Sequence, residues 1–338
     1  MSLPLSCLDL CQIESGSTSA AALRNAVELA QVAERLGYTR YWFAEHHNTV
    51  GLASGSPEIM IAHVAAHTRT IRVGAGGVML PNHAPLRVAE AFRLLEALHP
   101  GRIDLGLGRA PGTDTLTAFA LRRSEEALRV DQYPQLLAEL LAFDEQSFPE
   151  DHPFRAIKVT PADVRLPPIW LLGSSDFSAQ LAADVGLAYS FAAHINFRAA
   201  IPAMRMYRER FQPSEYRQTP HAILAVGVVV GETDEHAREL LRIVEIGMAA
   251  LAAGRPGKMP TLEEAQRIEL SPLDLQRAQP LLQNVIVGDA TTVAGRMREL
   301  AGESQADEIM VTTFLPNQAD RLRTVEQLAR VWGLQPTA

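Results

Sequence analysis

Short apolar runs suited to buried strands alternate with helical segments along the whole chain, and this regular alternation limits the possible folds more than any other feature. Strand-like runs are read at 3–10, 38–44, 71–80, 102–107, 169–172, 188–192, 221–230 and 308–314, eight in all. Helical periodicity fills most of the gaps. The Ser17-Thr18-Ser19 cluster is suited to cap the first helix and Gly37 to stop it. The economical solution is an α/β (β/α)8 TIM barrel, a single domain over 1–338 with Pro-rich insertions near 149–168 and 254–280. A doubly wound sheet competes, but it calls for a GxGxxG turn straight after the first strand, and none is there.

A chain of 338 residues with 47% hydrophobic and 21% charged residues has ample material for a large core. A net charge of -8 argues against nucleic acid and anionic lipid as partners. Cys7 and Cys11 match no metal-finger spacing and, about 13 Å apart by strand rise, are too distant for a disulfide. Neither a secretory signal nor a run of about 20 apolar residues is present, so a cytoplasmic location and no membrane span are expected.

In a parallel barrel, chemistry gathers at the C-terminal ends of the strands. Glu45-His46-His47 falls at such an end, after Tyr41-Trp42-Phe43-Ala44. Adjacent side chains there point to opposite sides, so one imidazole reaches the mouth with ease. It is read as catalytic or ligand-contacting, against a structural pair satisfied by backbone or a metal ligand; no HxH or HExxH accompanies it. Gly74-Ala75-Gly76-Gly77 interrupts a strand, which fits either tight packing or a flat ligand laid against bare backbone. Arg109, after Gly106 and Gly108, delivers a guanidinium to the same mouth, with a solvated arginine or a salt bridge as the plainer alternative. Gly173-Ser174-Ser175-Asp176-Phe177-Ser178 opens a helix, offering free N–H groups and hydroxyls to a phosphate, although Ser175 as a plain N-cap explains the turn almost as well. The helices at 57–66 and 85–98 are apolar over more surface than one buried stripe requires, which fits a subunit contact or packing alone.

The stretches 40–48, 73–85, 99–114 and 172–175 resemble the bacterial luciferase-like flavin monooxygenases, in order and over nearly the whole chain. The resemblance implies a (β/α)8 barrel with insertions. It matches His46 to the active-site histidine beside the flavin and Gly76-Gly77 to a non-proline cis peptide against the ring. Arg109, Ser175 and Ser178 match contacts to the FMN phosphate, with Ser174 in the same turn. The chemistry implied is oxygenation of a small organic substrate by O2 and reduced FMN through a C4a-peroxyflavin, the FMNH2 coming from a separate NAD(P)H:flavin reductase. A homodimer formed by the helices after strands two and three is also implied, and no metal. Gly108 stands where luciferase has a reactive cysteine, so the likeness does not extend to light emission. Alternatives are an F420-dependent hydride-transfer enzyme on the same barrel, a flavin-binding protein without turnover, and a metal-dependent barrel hydrolase. Substrate choice is expected to lie in the loops 48–56, 113–123 and 254–280.

Overall fold

The computed structural model describes residues 3–129 and 131–337. Strands β1 (Leu5–Asp9), β2 (Arg40–Phe43) and β3 (Arg72–Ala75) alternate with helices α1 (Ser19–Arg35), α2 (Pro57–His67) and α3 (Pro85–Leu98). A two-residue strand, β4 (Val78–Met79), lies between β3 and α3. Next come β5 (Ile103–Gly108) and three helices, α4 (Thr115–Arg122), α5 (Glu126–Arg129) and α6 (Tyr133–Glu145). The pairs β6 (Ile169–Gly173) with α7 (Asp176–Val185) and β7 (Ala188–Ala192) with α8 (Phe197–Arg210) follow. Strand β8 (Ala222–Gly231) leads to α9 (Asp234–Ala252), α10 (Leu262–Arg267) and α11 (Pro272–Leu282). The chain closes with β9 (Val285–Asp289), α12 (Ala290–Ser304), β10 (Glu308–Thr313) and α13 (Gln318–Trp332).

All pairings between the strands named above are parallel, and β10 bonds both β1 and β8, so the ring β1-β2-β3-β5-β6-β7-β8-β10 closes as an eight-stranded barrel wrapped by helices. Strands covered on both faces need continuous apolar runs rather than alternation. Strand β8 shows this: all ten residues of Ala-Ile-Leu-Ala-Val-Gly-Val-Val-Val-Gly are buried.

The N-terminal end of the barrel is plugged by charge. Arg40, first in β2, bonds Asp104 at 2.8 Å and Glu308 at 3.0 Å, and Arg72, first in β3, reaches Asp104 at 2.6 Å. Burial pushes the Asp104 carboxyl up, and the two guanidinium groups overcome that and hold it below the ordinary range. With this end filled, the opposite rim is left for ligands.

Three local features depart from the sequence reading. The run 71–80 is broken into β3 and β4 at a cis Gly76–Gly77 bond and ends in a 3-10 turn at Leu80–Asn82. Strand β9 and helix α12 escaped notice, because a five-residue strand beside the second half of β8 sits among turn-forming residues. The stretch 254–280 holds two helices, each started by a capping box, Thr261 with Glu264 and Ser271 with Asp274. It is stitched to the loops that follow β1 and β2. Met259 N–H donates to Ile13 O, Ser15 N–H to Met259 O, and Ile13 N–H to Gly51 O. Close approach is required: a Cβ on Gly51 would stand 2.1 Å from Gly257 O. Cys7 and Cys11 are free and buried.

Candidate active site

A cavity of about 210 Å3, open on one side, sits at the C-terminal rim of the barrel. Its wall is built by strand alternation. From β2 and its extension, Trp42, Ala44 and His46 face in, while Glu45 and His47 turn away and meet each other at 2.8 Å. So one imidazole of the pair enters the site, as the period of two requires, and the other serves the wall.

Glu45 organises that wall. Wholly buried, it accepts from His47 Nε2, from His83 Nε2 at 3.0 Å, from the Met79 N–H at 2.8 Å and from Asn82 at 3.3 Å. Burial raises its pKa, and His83, His47 and the Met79 amide more than reverse this, leaving it below the usual carboxylate value. His83 is shifted the other way: burial lowers it, and the bond it donates to Glu45 carries it above the ordinary imidazole value. The Met79 amide held by Glu45 belongs to β4, directly after the glycine pair, so the carboxylate braces the backbone beside Gly76–Gly77.

The glycine pair lies against the cavity and needs its bareness. A Cβ on Gly76 would stand 2.7 Å from Leu8 Cδ1, and one on Gly77 would stand 2.8 Å from Gly106 O. The pair is therefore tightly packed on one side and lines the cavity on the other.

At the other end, Arg109 and the serine turn converge. The Arg109 guanidinium lies 4.3 Å from the centre of the Phe177 ring, over the first turn of α7, and its Nη1 bonds Asp131 Oδ2 at 3.1 Å. Ser174, Ser175 and Ser178 line the cavity beside it. Ser175 occupies the N-cap position of α7 yet makes no side-chain capping bond, so its hydroxyl and the first N–H groups of the helix remain available to an anion. Gly173 must be glycine, since a Cβ there would fall 1.8 Å from Ser178 Oγ.

His46, Gly76, Gly77, Arg109, Ser174, Ser175 and Ser178 thus all line one hollow. His46 has no protein hydrogen bond among the described residues, and burial lowers its pKa, with Glu45 opposing the shift and His47 adding to it. Among the lining residues missed from sequence, His194 carries the most chemistry. His194 follows β7, where Ser190, Ala192 and His194 face the cavity with the same spacing as Trp42, Ala44 and His46. That alternation was the available signal.

Bare glycine wall, anion cradle and imidazole suit a flat ring carrying a phosphate arm. The sequence profile described as luciferase-like monooxygenase matches residues 4–307, and the chain belongs to that family. Among its relatives are the Bacillus subtilis protein YvbT, 43% identical over 97% of this chain and 96% of that one, and an Escherichia coli K12 protein named luciferase-like monooxygenase, 38% identical over 96% and 95%. The Bacillus subtilis N-acetyl-S-alkylcysteine monooxygenase is 34% identical over 96% and 97%. The solved structure of apo-MsnO8 superposes with a TM-score of 0.90 at 34% identity and covers 99% of both chains. The fold alone is shared with an FMN complex of the oxygenating constituent of 3,6-diketocamphane monooxygenase (TM-score 0.69, 17% identity, 100% of both chains). It is also shared with an F420-dependent secondary alcohol dehydrogenase (0.62, 14%, 98% and 99%).

Proposed function

We propose that this chain is the oxygenating component of a two-component, FMN-dependent monooxygenase. It takes reduced FMN from a separate NAD(P)H:flavin reductase and uses O2 to oxygenate a small organic substrate. The observation that carries the reading is the convergence on one hollow of the Gly76–Gly77 wall, His46 and the Arg109 and serine cradle. Bound reduced flavin would supply the electrons that activate oxygen. This chain's part is to hold the phosphate with Arg109, Ser174, Ser175 and Ser178, and to lay the ring on Gly76 and Gly77. Leu8, Trp42, Leu172 and Met310 exclude water from the floor. His46, a neutral base at pH 7 because it is buried, would take or return a proton. The mostly apolar lining, with a relative named N-acetyl-S-alkylcysteine monooxygenase, supports a small organic substrate. Free, buried Cys7 and Cys11 suit a reducing cytoplasm.

Titration of the protein with FMN, followed by flavin fluorescence, tests the reading. Arg109→Ala should weaken binding by about 1.5 to 3 kcal/mol, the scale of a hydrogen bond to a charged group, or roughly 10- to 150-fold. Equal affinity in the parent and the variant would remove the phosphate assignment. A parallel titration with F420 separates oxygenation from hydride transfer, since tighter binding of F420 would favour the dehydrogenase reading. Oxygen mixed with the reduced complex in a stopped-flow cell separates an oxygenase from a flavin carrier. Ile59, Leu94 and Leu98, exposed on α2 and α3, support a homodimer through these helices. Leu94→Glu should convert the dimer to monomer on size exclusion.

A further inference from the structure

His194 has no part in the reading above, yet, unlike His46, its ring is held by the protein. In the ring β1-β2-β3-β5-β6-β7-β8-β10, four steps separate β2 from β7 in either direction, so the two imidazoles enter from opposite sides of the mouth. The His194 main-chain N–H and its ring Nδ1 both lie against the Ala225 carbonyl on β8, at 3.2 and 3.3 Å. A carbonyl oxygen only accepts, so Nδ1 carries the hydrogen, and in the neutral ring Nε2 is left as a bare acceptor. Burial pushes the ring down to about 4, with the Ala225 carbonyl opposing and the charge of a protonated His46 adding to the effect, so the neutral form persists at pH 7. Among the described residues Nε2 has no protein partner, and the side chain lines the cavity. An acceptor fixed in one tautomer and turned to a ligand site is arranged to receive a donor from the ligand.

The neighbouring strand indicates which ligand. Strand β7 pairs with β6, and Asn196 Nδ2 donates to Ser174 O at 3.0 Å, tying the loop that carries His194 to the phosphate cradle. A molecule anchored there by its phosphate passes His194 with the part next along. FMN offers donors of the right kind: the hydroxyl groups of its ribityl arm and the N–H groups of its ring.

We propose that His194 is a cofactor-contacting residue whose Nε2 accepts a hydrogen bond from an O–H or N–H group of bound FMN. The assignment rests on the flavin reading above, and the test keeps the two apart. Two substitutions divide the ring's functions. In His194→Asn the side-chain amide sits where Nδ1 was and keeps the bond to Ala225, but nothing replaces Nε2. In His194→Gln the amide reaches the place of Nε2 and gives up the Ala225 bond. The contact predicts FMN binding about 3- to 10-fold weaker in His194→Asn, the size of one neutral hydrogen bond, and within about 2-fold of the parent in His194→Gln. A purely structural role predicts the reverse order, and that order would overturn the proposal.

Nitrogen-15 NMR of the labelled histidines in the unsubstituted protein gives a second measurement that needs no variant. Addition of FMN should move the Nε2 resonance of His194 and leave Nδ1 in place. Lumiflavin, which has the ring without the ribityl arm, should reproduce the shift if a ring N–H is the donor and leave it absent if a hydroxyl is. An Nε2 signal unmoved while FMN binds would refute the contact and leave the flavin site standing. Failure of the unsubstituted protein to bind FMN would remove both.

Discussion

Replacing Glu45 with glutamine tests how much of the site depends on a residue that never touches a ligand. The carboxylate receives four neighbours, His47, His83, the Met79 amide and Asn82, with no access to water. Glutamine keeps one accepting oxygen and turns an N–H toward groups that themselves donate. At least one charge-assisted bond is lost, worth about 1.5 to 3 kcal/mol, and breaking a buried ionic cluster reaches about 3 to 5 kcal/mol. About 3 kcal/mol is a fair central value. For 338 residues the entropy of unfolding is near 0.7 kcal/mol per kelvin, so the melting temperature should fall by about 4 °C.

The pH dependence adds a sharper signature. The depressed pKa of Glu45 gives stability that is complete above the ordinary 4.5 and fades as pH falls through its lower folded value. The raised pKa of His83 gives stability that is complete below 6.5 and fades as pH rises through its higher folded value. The gap between the parent and Glu45→Gln, measured by denaturant unfolding at a series of pH values, should therefore be widest between these limits and narrow on both sides. A melting temperature within 1 °C of the parent, or a gap independent of pH, would refute the bracing role of Glu45.

Other outcomes follow from the same geometry. Asp131 holds Arg109 in the absence of an anion, so Asp131→Asn should tighten FMN binding by a few fold, within the roughly 1 kcal/mol of an exposed ion pair; weaker binding by titration would contradict the idea of competition. Gly173→Ala puts a methyl group into Ser178, and an overpacking cost of about 1 to 3 kcal/mol should appear as lost FMN affinity, read by fluorescence, with little change in secondary structure by circular dichroism. His46→Ala should leave FMN affinity within a few fold and slow the reaction of the reduced complex with oxygen by about 100-fold or more, followed by absorbance in a stopped-flow cell; an unchanged rate would remove its proposed role in proton transfer.

Much of this was legible in the chain because parallel strands write their burial plainly. Runs such as 221–230 are apolar throughout, and a helix punctuated by Thr18 and Gly37 announces both of its ends. The side of the barrel on which Arg109 and the serine turn meet followed from their place after strands. What could not be read was non-local. That Asp131 holds Arg109, or that Glu45 gathers His83 and Met79 from farther along the chain, depends on how loops return, and no local pattern encodes it. Strand β9 was short enough to pass for loop. His194 was readable in principle by the alternation that placed His46, but Ala192-Ala193-His194-Ile195 lacks the carboxylate and paired imidazole that drew attention to the earlier site.

The backbone bonds joining Ile13, Gly51 and Met259 bear on how such a protein diversifies. Three segments distant in sequence share one small patch of hydrogen bonding, so a change of length in any of them disturbs the other two. New selectivity on this scaffold should arise by concerted replacement of the trio, and a chimera carrying a single transplanted loop should lose order around the entrance before it gains a new preference.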